Sequence, residues 1–174
     1  SSDLVAKLFD VTVHETPVGF KHIGALMESE PIIVGGEESG GLSIGNHIPE
    51  KDGVLACLLM AELVATEGIT LGQILKKIEK QTGCFYTDRI NINVPIKNKA
   101  DILKRLSRGL SKIGKHSVQN FIRTDGFKFI LANDEWVCFR ASGTEPVIRC
   151  YLEAKSTSHL RQLKVACNKI LSLK

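Results

Sequence analysis

The pattern of apolar residues changes at Gly83, and this change constrains the fold more than any other feature of the sequence. Before Gly83, short apolar segments alternate with stretches of helical spacing, which is typical of an α/β layer. After it, several segments alternate apolar and polar residues, which predicts antiparallel strands. A chain of 174 residues has room for two small domains. The sequence therefore predicts one domain over residues 1–83 and a second over residues 84–174.

The first domain is predicted to be a partial three-layer α/β domain with a mixed or parallel sheet between helices. Short strands are expected at residues 10–13 and 31–34. The second of these is so apolar that both of its faces would be buried, as in a parallel sheet. A helix is expected to open at Thr16 and Pro17, since threonine is a good N-cap and proline is tolerated at the first helical position.

Two further helices carry clear boundary signals. Asp52 is a predicted N-cap for a nearly all-apolar helix at about residues 54–66. Thr70 and Gln73 match a capping box before the next apolar periodicity, and Gly83 is expected to end that helix.

The second domain is predicted to be a smaller two-layer α+β domain with one antiparallel sheet and two helices. Turn signals at residues 125–126 and 133–134 separate the strands. The expected order is β-α-β-β-β-β-α, with strands at 85–95, 118–123, 127–131, 136–140 and 147–154 and helices at 99–113 and 158–171.

Composition excludes several classes of protein. A hydrophobic fraction of 43% with a net charge of +4 is ordinary for a folded domain, and the longest apolar run, residues 54–61, is too short to cross a bilayer. The five cysteines form no CxxC pair, so we expect reduced, buried thiols and a cytoplasmic location. The first residue is not Met and no secretory signal is visible, so the chain is expected to begin within a longer protein.

A glycine-rich loop at residues 35–41 follows the apolar segment 31–34. The carboxylate of Glu37 accepts hydrogen bonds and the hydroxyl of Ser39 can accept or donate, so this loop suits sugar hydroxyls and would repel a phosphate. Two alternatives remain open at this point. One is that the loop is a solvated turn whose acidic residues have no binding role. The other is that Glu37, Glu38 and Asp52 bind a divalent cation.

A second loop, residues 140–146, is rich in hydrogen-bond donors. Arginine binds phosphate through two parallel hydrogen bonds, and glycine allows the backbone to approach a ligand closely. In the strand that follows, Ile148 and Cys150 alternate toward the core, so Arg149 faces the other way and reaches the side of the loop. The alternative is a polar hairpin with surface arginines.

An acceptor-rich loop in one domain and a donor loop in the other match the two ends of a phosphosugar. With this pairing, the sequence resembles the third and fourth of the four domains of the α-D-phosphohexomutase superfamily, the phosphoglucomutases and phosphomannomutases. Four motifs in the expected order carry the resemblance: residues 16–21 (TPVGFK), 36–40 (GEESG), 52–54 (DGV) and 140–146 (RASGTEP).

The resemblance implies roles for individual residues. Glu37 and Ser39 would bind the sugar hydroxyls. The phosphate that is not being transferred would be bound by Arg140, Ser142, Gly143, Thr144 and Arg149. Lys21 matches a position near the reacting centre, and its place near a helix N-terminus, where cations are disfavoured, favours this role over that of a surface lysine. Many relatives have His where this chain has Gly41, so a proton-transfer role carried by that His has no residue here.

The implied activity is interconversion of hexose 1-phosphate and hexose 6-phosphate through a phosphoserine enzyme and a bisphosphorylated sugar. Glu38 argues for glucose or mannose, since relatives acting on glucosamine phosphate usually have glutamine at this position. The phosphoserine loop and the Asp-Gly-Asp-Gly-Asp magnesium loop of the family do not occur in this sequence.

The chain is therefore expected to be the C-terminal part of an enzyme, inactive alone and without a metal ligand of its own. Mg²⁺ would be bound by the absent N-terminal half, and a sugar 1,6-bisphosphate would act as activator and intermediate. The expected partners are the phosphosugar and the missing N-terminal domains, with no nucleic acid and no membrane.

The main rival interpretation is a polyanion or nucleic-acid binding module that uses a basic helix at residues 97–115. Aromatic residues do not interleave with this stretch, so it lacks a stacking platform for bases. Its cations are Lys97, Lys99, Lys104, Arg105, Arg108, Lys112 and Lys115.

Overall fold

The computed structural model describes residues 2–143 and 145–172. The chain divides into two compact units, residues 2–82 and 83–172. The first unit contains four helices and a two-stranded antiparallel hairpin. Its elements are α1 (Ser2–Leu8), α2 (Phe20–Ser29), β1 (Val34–Gly36), β2 (Leu42–Ile44), α3 (Gly53–Glu67) and α4 (Leu71–Thr82).

The prediction of a strand at residues 31–34 buried on both faces was wrong. The strand begins at Val34 and pairs antiparallel with β2. Ile33 and Val34 are 68% and 56% exposed. The element packs through a glycine instead, because a Cβ on Gly35 would lie 2.3 Å from the Ile23 side chain of α2. The strand therefore packs on α2 through Gly35 and not through the side chains of Ile33 and Val34.

The expected strand at residues 10–13 is also absent from the structure. The chain turns after α1, with Asp10 at φ 52° and the Val11 amide donating to Ala6. The second helix begins at Phe20, not after Pro17, because Gly19 at φ 120° interrupts the backbone just before it.

The predicted boundaries of α3 and α4 are confirmed. Asp52 caps α3 by accepting from the amides of Val54 and Leu55 at 2.9 and 3.0 Å. At the start of α4, the Thr70 amide donates to the Gln73 side chain at 2.9 Å, and the Gln73 amide returns a bond to the Thr70 hydroxyl at 3.3 Å. These local signals operate without tertiary contacts, so the sequence alone could locate them.

Helix α3 is apolar on all sides, and none of its residues is buried within the first unit. The expectation that all cysteines are buried is wrong here, because Cys57 on this helix is exposed, as is Cys84. Among the described helices, no single one is long and apolar enough to cross a membrane. Helices α3 and α4 reach that length and composition only when taken together across an 81° bend.

The second unit is a six-stranded antiparallel sheet with two helices, which confirms the predicted fold class. The strands lie in the order β3-β8-β7-β6-β5-β4. The elements are β3 (Tyr86–Asn93), α5 (Ile96–Ser107), β4 (Lys112–Ile113), β5 (His116–Ile122), β6 (Phe127–Leu131), β7 (Trp136–Ala141), β8 (Val147–Ala154) and α6 (Thr157–Leu171). Helix α5 ends earlier than predicted, and the predicted helical residue Ile113 lies in β4.

One face of this sheet forms the core with α5 and α6. Leu106 of α5 and Leu163 of α6 are fully buried in the same cluster as Ile148 and Cys150 of β8. A hydrogen bond with the Cys167 thiol, together with burial, raises the pKa of the Cys150 thiol. Both thiols are free and act as core residues, as expected. Val147, Arg149 and Tyr151 alternate with the core residues of β8 and therefore lie on the opposite face of the sheet.

Asp52→Ala should lower the thermal unfolding midpoint at pH 7. Hydrogen bonds from the Leu55 amide and from His47 lower the pKa of Asp52 from 3.8. A carboxylate with a depressed folded-state pKa stabilises the fold above its unfolded pKa and loses this effect as the pH falls through the folded pKa. The difference in unfolding midpoint between the wild type and Asp52→Ala should therefore become smaller below pH 3.8.

The measurement is thermal unfolding between pH 2.5 and 7, conditions chosen to bracket that titration. Glu62→Ala, an exposed change on the same helix, is the matched control and should show no such pH-dependent gap. A constant gap for the Asp52 variant across this range would contradict the prediction.

Candidate functional site

The acceptor-rich loop is the turn of the β1–β2 hairpin. The Glu37 amide donates to the Gly41 carbonyl at 2.8 Å, and the Gly40 amide donates to the Glu37 carbonyl at 3.0 Å. Gly40 has φ 91°, which only glycine adopts without strain. Ser39 lies exposed at the tip, and its hydroxyl has no hydrogen-bond partner among the described residues. The turn therefore leaves this hydroxyl accessible to a ligand.

The Glu37 carboxylate is held in place by two groups from other parts of the first unit. Its Oε1 accepts from the Gly19 amide at 3.2 Å, and the Lys51 ammonium lies 3.9 Å from Oε2. The Glu37 side chain is only 15% exposed. A carboxylate oxygen has two acceptor positions, so Glu37 retains capacity for further donors while its direction is fixed.

Lys51 was not predicted as a site residue, and no spacing in the sequence links it to Glu37. A hydrogen bond from the Asp52 amide to the Leu42 carbonyl, 2.9 Å, brings the chain at Lys51 alongside the hairpin. A Cβ on Gly41 would lie 3.1 Å from Glu37 Oε2 and 3.2 Å from Lys51 Cδ. A larger side chain at position 41 would therefore have to displace Lys51 or Glu37.

Lys21 is the second residue of α2 and is exposed. It follows Gly19, whose amide binds Glu37, so the backbone at Lys21 lies beside the hairpin loop. The described residues offer Lys21 no ion-pair partner. Its role near a reacting centre stays a prediction.

The divalent-cation interpretation of this loop is not supported. Asp52 already binds two amides of α3 through Oδ1 and accepts from His47 Nε2 through Oδ2 at 3.1 Å. In the part of the chain that the structure describes, no three His, Cys, Asp or Glu residues are grouped so that they could hold a metal ion.

The donor-rich loop connects β7 to β8 in the second unit. Arg140 and Arg149 are register partners across these two strands, so their side chains project side by side from the same face of the sheet. This is the face opposite the core, because Ile148 and Cys150 on either side of Arg149 are fully buried. The structure thus brings together two arginines that are nine positions apart in the sequence.

Each arginine pairs with a carboxylate from a flanking turn. Arg140 Nε lies 3.1 Å from Asp125 Oδ2, and Arg149 Nη2 lies 3.0 Å from Glu145 Oε2. The two guanidinium side chains are 26% and 33% exposed. An arginine has five donors, so these contacts orient each guanidinium and leave other N–H groups for an anion. Sequence analysis missed both carboxylates, because neither spacing nor alternation pairs them with an arginine.

The loop between the arginines is fixed from below. Ser142 is 4% exposed, its amide donates to the Val147 carbonyl at 3.1 Å, and its hydroxyl accepts from the Glu145 amide at 3.2 Å. The Lys99 ammonium donates to the carbonyls of Ser142 and Glu145 at 2.7 and 3.0 Å. Gly143 is exposed.

The predicted phosphate contact at Thr144 falls outside the described residues. Ser142 is buried and its hydroxyl accepts from the Glu145 amide, whereas Gly143 is exposed, and a phosphate contact at either residue stays a prediction.

Comparison with known families agrees with this arrangement of two loops in two units. Residues 1–81 match the model of the phosphoglucomutase/phosphomannomutase α/β/α domain III, and residues 91–170 match that of the phosphoglucomutase/phosphomannomutase C-terminal domain. The chain belongs to the phosphoglucomutase/phosphomannomutase family. The resemblance to this family is thereby confirmed.

Individual relatives of this family differ in the sugar that they are named for. The chain is 31% identical over 92% of its length to a phosphoglucomutase/phosphomannomutase of Thermococcus kodakarensis, of which it covers 33%. It is 29% identical over 98% of its length to a phosphoglucosamine/phosphogalactosamine mutase of Sulfurisphaera tokodaii, of which it covers 36%. The chain thus spans about a third of the length of these relatives.

Solved structures support the same fold. A crystal structure from Thermus thermophilus named as a phosphomannomutase has a TM-score of 0.76 and 32% identity, over 97% of this chain and 33% of that one. The open form of a Paramecium phosphoglucomutase, parafusin, has a TM-score of 0.79 with 24% identity, over 97% of this chain and 35% of that one.

The basic helix of the rival interpretation does not exist as one continuous face in this phosphohexomutase chain. Helix α5 ends at Ser107, so Lys112 lies in β4 and not on the helix. The Lys99 ammonium donates to the Ser142 carbonyl of the donor-rich loop. The cations of residues 97–115 are therefore divided among a helix, a loop and a hairpin.

Gly126→Ala should disturb the donor-rich loop although it lies outside it. Gly126 has φ 90°, and a Cβ there would lie 2.5 Å from the Phe139 carbonyl oxygen. The turn must then move, which shifts Asp125 away from Arg140. We expect a destabilisation of about 1–3 kcal/mol, the usual cost of a strained backbone position.

Gly143→Ala is the matched control, because a Cβ at Gly143 meets no atom within 4 Å. This change should alter the free energy of unfolding by less than about 0.5 kcal/mol. The measurement is urea unfolding of the two variants and the wild type. If Gly126→Ala and Gly143→Ala unfold with the same free energy, the prediction that a Cβ at position 126 displaces the turn is wrong.

Proposed function

We propose that this chain supplies the sugar-binding and phosphate-binding parts of an enzyme that interconverts hexose 1-phosphate and hexose 6-phosphate. Membership of the phosphohexomutase family supports the reaction class. The proposed sugars are glucose and mannose, the proposed intermediates are a phosphoserine and a sugar 1,6-bisphosphate, and the proposed location is the cytoplasm.

The observation that carries the proposal is the pairing of Arg140 with Arg149. Like charges directly opposite each other on neighbouring strands destabilise a sheet. A phosphate dianion between them would offset this repulsion, and its oxygens match the fork geometry of guanidinium groups. The exposed Gly143 lies in the same loop and can add a backbone donor.

The hairpin loop supports the sugar part of the proposal. Glu37 presents an oriented carboxylate and Ser39 an unpaired hydroxyl, at least within the described chain. Sugar hydroxyls donate well to such acceptors, and the hydroxyl of Ser39 can also donate in return. Because each intermediate must be bound in two orientations, a hydroxyl site and a separate phosphate site suit the reaction better than one rigid pocket.

The proposal includes a Mg²⁺ ion, and the family's Asp-Gly-Asp-Gly-Asp magnesium loop does not occur in this sequence. Within the proposal, the metal ion and the phosphoserine belong to sequence outside this chain. The part that this chain plays is to bind and orient the phosphosugar through Glu37, Ser39, Arg140, Arg149 and the loop between the arginines.

The preference for glucose or mannose rests on Glu38. Relatives named for glucosamine phosphate are among those that match the chain, so the family alone does not select the sugar. Titration of glucose 6-phosphate, mannose 6-phosphate and glucosamine 6-phosphate tests the preference. Tightest binding of glucosamine 6-phosphate would overturn it.

Arg140→Ala should weaken binding of glucose 6-phosphate by about tenfold to a hundredfold, since a charge-assisted hydrogen bond contributes about 1.5–3 kcal/mol. Arg140→Lys should restore little of the affinity, because an ammonium cannot form the two parallel bonds of a guanidinium. Calorimetric titration of the chain measures both effects, and the unfolding midpoint controls for folding.

Arg108→Ala is the matched control for charge, because Arg108 is exposed and lies outside the loop. Phosphosugar binding should not change in this variant. If instead the rival function holds, Arg108→Ala should weaken binding of a single-stranded DNA probe more than Arg140→Ala does, because only Arg108 belongs to the basic stretch 97–115, and neither change should affect phosphosugar binding.

The chain alone should not interconvert glucose 1-phosphate and glucose 6-phosphate, even when glucose 1,6-bisphosphate is supplied. The reason is that no transferable phosphoserine motif occurs in its sequence. A coupled assay that follows glucose 6-phosphate formation checks this. Turnover by the 174 residues would show that the chain carries its own phosphoryl-transfer group.

A further inference from the structure

Lys99 lies in an unusual place for a lysine. It is in the first turn of α5, where the helix dipole disfavours a cation. Its ammonium is directed away from the helix and donates to the carbonyls of Ser142 and Glu145, residues 43 and 46 positions later in the chain. The half-buried lysine therefore holds both ends of the donor-rich loop, residues 140–146, which is the phosphate loop of the proposed function.

The contact with Ser142 fixes the direction of a donor on the next residue. In a trans peptide the C=O and the following N–H lie in one plane and point in opposite directions, and no cis peptide is found in the described chain. Because the Ser142 carbonyl points at Lys99, the Gly143 N–H points away from Lys99. A Cβ at Gly143 would meet no atom within 4 Å, and the Gly143 amide has no acceptor among the described residues.

The second contact holds the other end of the loop. The Glu145 carbonyl precedes Pro146, which has no N–H, so this contact fixes the backbone without orienting a donor. The bond from the Glu145 amide to the Ser142 hydroxyl joins the two ends to each other. Lys99 is thus the one group from outside the loop that contacts both of its fixed points in the described structure.

We propose that Lys99 is a positioning residue for phosphate binding, which acts by turning the Gly143 amide toward the phosphate. This inference rests on the proposed function of the loop. Lys99 does not itself touch the phosphate. Its ammonium binds the Ser142 carbonyl, so the Gly143 N–H of the same peptide plane points away from Lys99. The contacts of Lys99 with Ser142 and Glu145 also keep the two ends of the loop together.

The experiment is an NMR titration of the ¹⁵N-labelled chain with glucose 6-phosphate. It follows the Gly143 amide and the Nε–H signals of Arg140 and Arg149 separately. Lys99→Met removes the ammonium and keeps an unbranched side chain, whereas Lys99→Arg keeps donors that can reach the carbonyls. The matched control is Lys104→Met, an exposed lysine on the same helix.

The wild type should shift all three signals on binding. Lys99→Met should weaken binding about tenfold, in line with the loss of one charge-assisted hydrogen bond, and should abolish the shift of Gly143 while both arginine signals still move. Lys99→Arg should restore the Gly143 shift, and Lys104→Met should match the wild type. If Lys99→Met does not fold, Lys99→Ala, which also lacks a donor, replaces it, with the same expected result.

Salt dependence separates positioning from direct attraction. A cation that attracts the phosphate through space loses its effect as salt screens it, so removing such a cation reduces the dependence of affinity on salt. Lys99→Met should keep the wild-type salt dependence and Arg140→Ala should reduce it. A reduced dependence in Lys99→Met would overturn the positioning role.

Two further outcomes distinguish this inference from the proposed function. An unchanged Gly143 shift in a folded Lys99→Met variant would overturn the inference and leave the phosphate site standing. If the arginine signals of the wild type do not respond to glucose 6-phosphate, the proposed function of the loop fails, and the role of Lys99 fails with it.

Discussion

The antiparallel pairing of β7 with β8 is the constraint on which the donor-rich loop depends. Its register places Arg140 beside Arg149 and leaves the loop between them to close over a short distance. Opposed like charges cost about 0.2–1 kcal/mol on a sheet surface. Burial on the core face of the same strands more than offsets this cost, since each fully buried Leu, Ile or Phe side chain contributes about 1.5–3 kcal/mol to the free energy of folding. Several such residues, among them Phe139, Ile148 and Leu152, are buried there.

The carboxylates around the loop explain how two arginines can stay oriented without a ligand. Asp125 and Glu145 each hold one guanidinium from the side, and Lys99 holds the loop from the helix layer. The charges of the arginines are thus partly balanced while donors remain free. Such an arrangement favours a site that is formed in advance, which lowers the entropic cost of binding.

The hairpin loop of the first unit follows a different principle. Its shape comes from local turn bonds and one glycine with positive φ, while its carboxylate is aimed by a backbone amide at Gly19 and a cation at Lys51. A short loop built in this way needs little core beneath it. This agrees with the sparse burial in the unit. Among its described residues, Ala6 and Phe20 are the buried apolar residues other than glycine.

The sequence by itself determined the elements whose signals are local. The Asp52 cap, the Thr70–Gln73 box and the alternation along β8 were predicted correctly, because each depends on residues within a few positions. The pattern also predicted that Arg149 faces away from the core. The apolar segment 31–34 was misinterpreted, because apolar content alone does not show whether other elements pack on both faces of a strand.

Only the tertiary structure decided which distant residues meet. The pairs Arg140 with Asp125, Glu37 with Lys51 and Lys99 with the loop carbonyls join segments whose spacing in the chain follows no helical or strand period. Their proximity is set by strand register and by the packing of α5 on the sheet, and these depend on the summed burial of many side chains. For that reason the sequence suggested the residue types of the candidate site, and the fold supplied their partners.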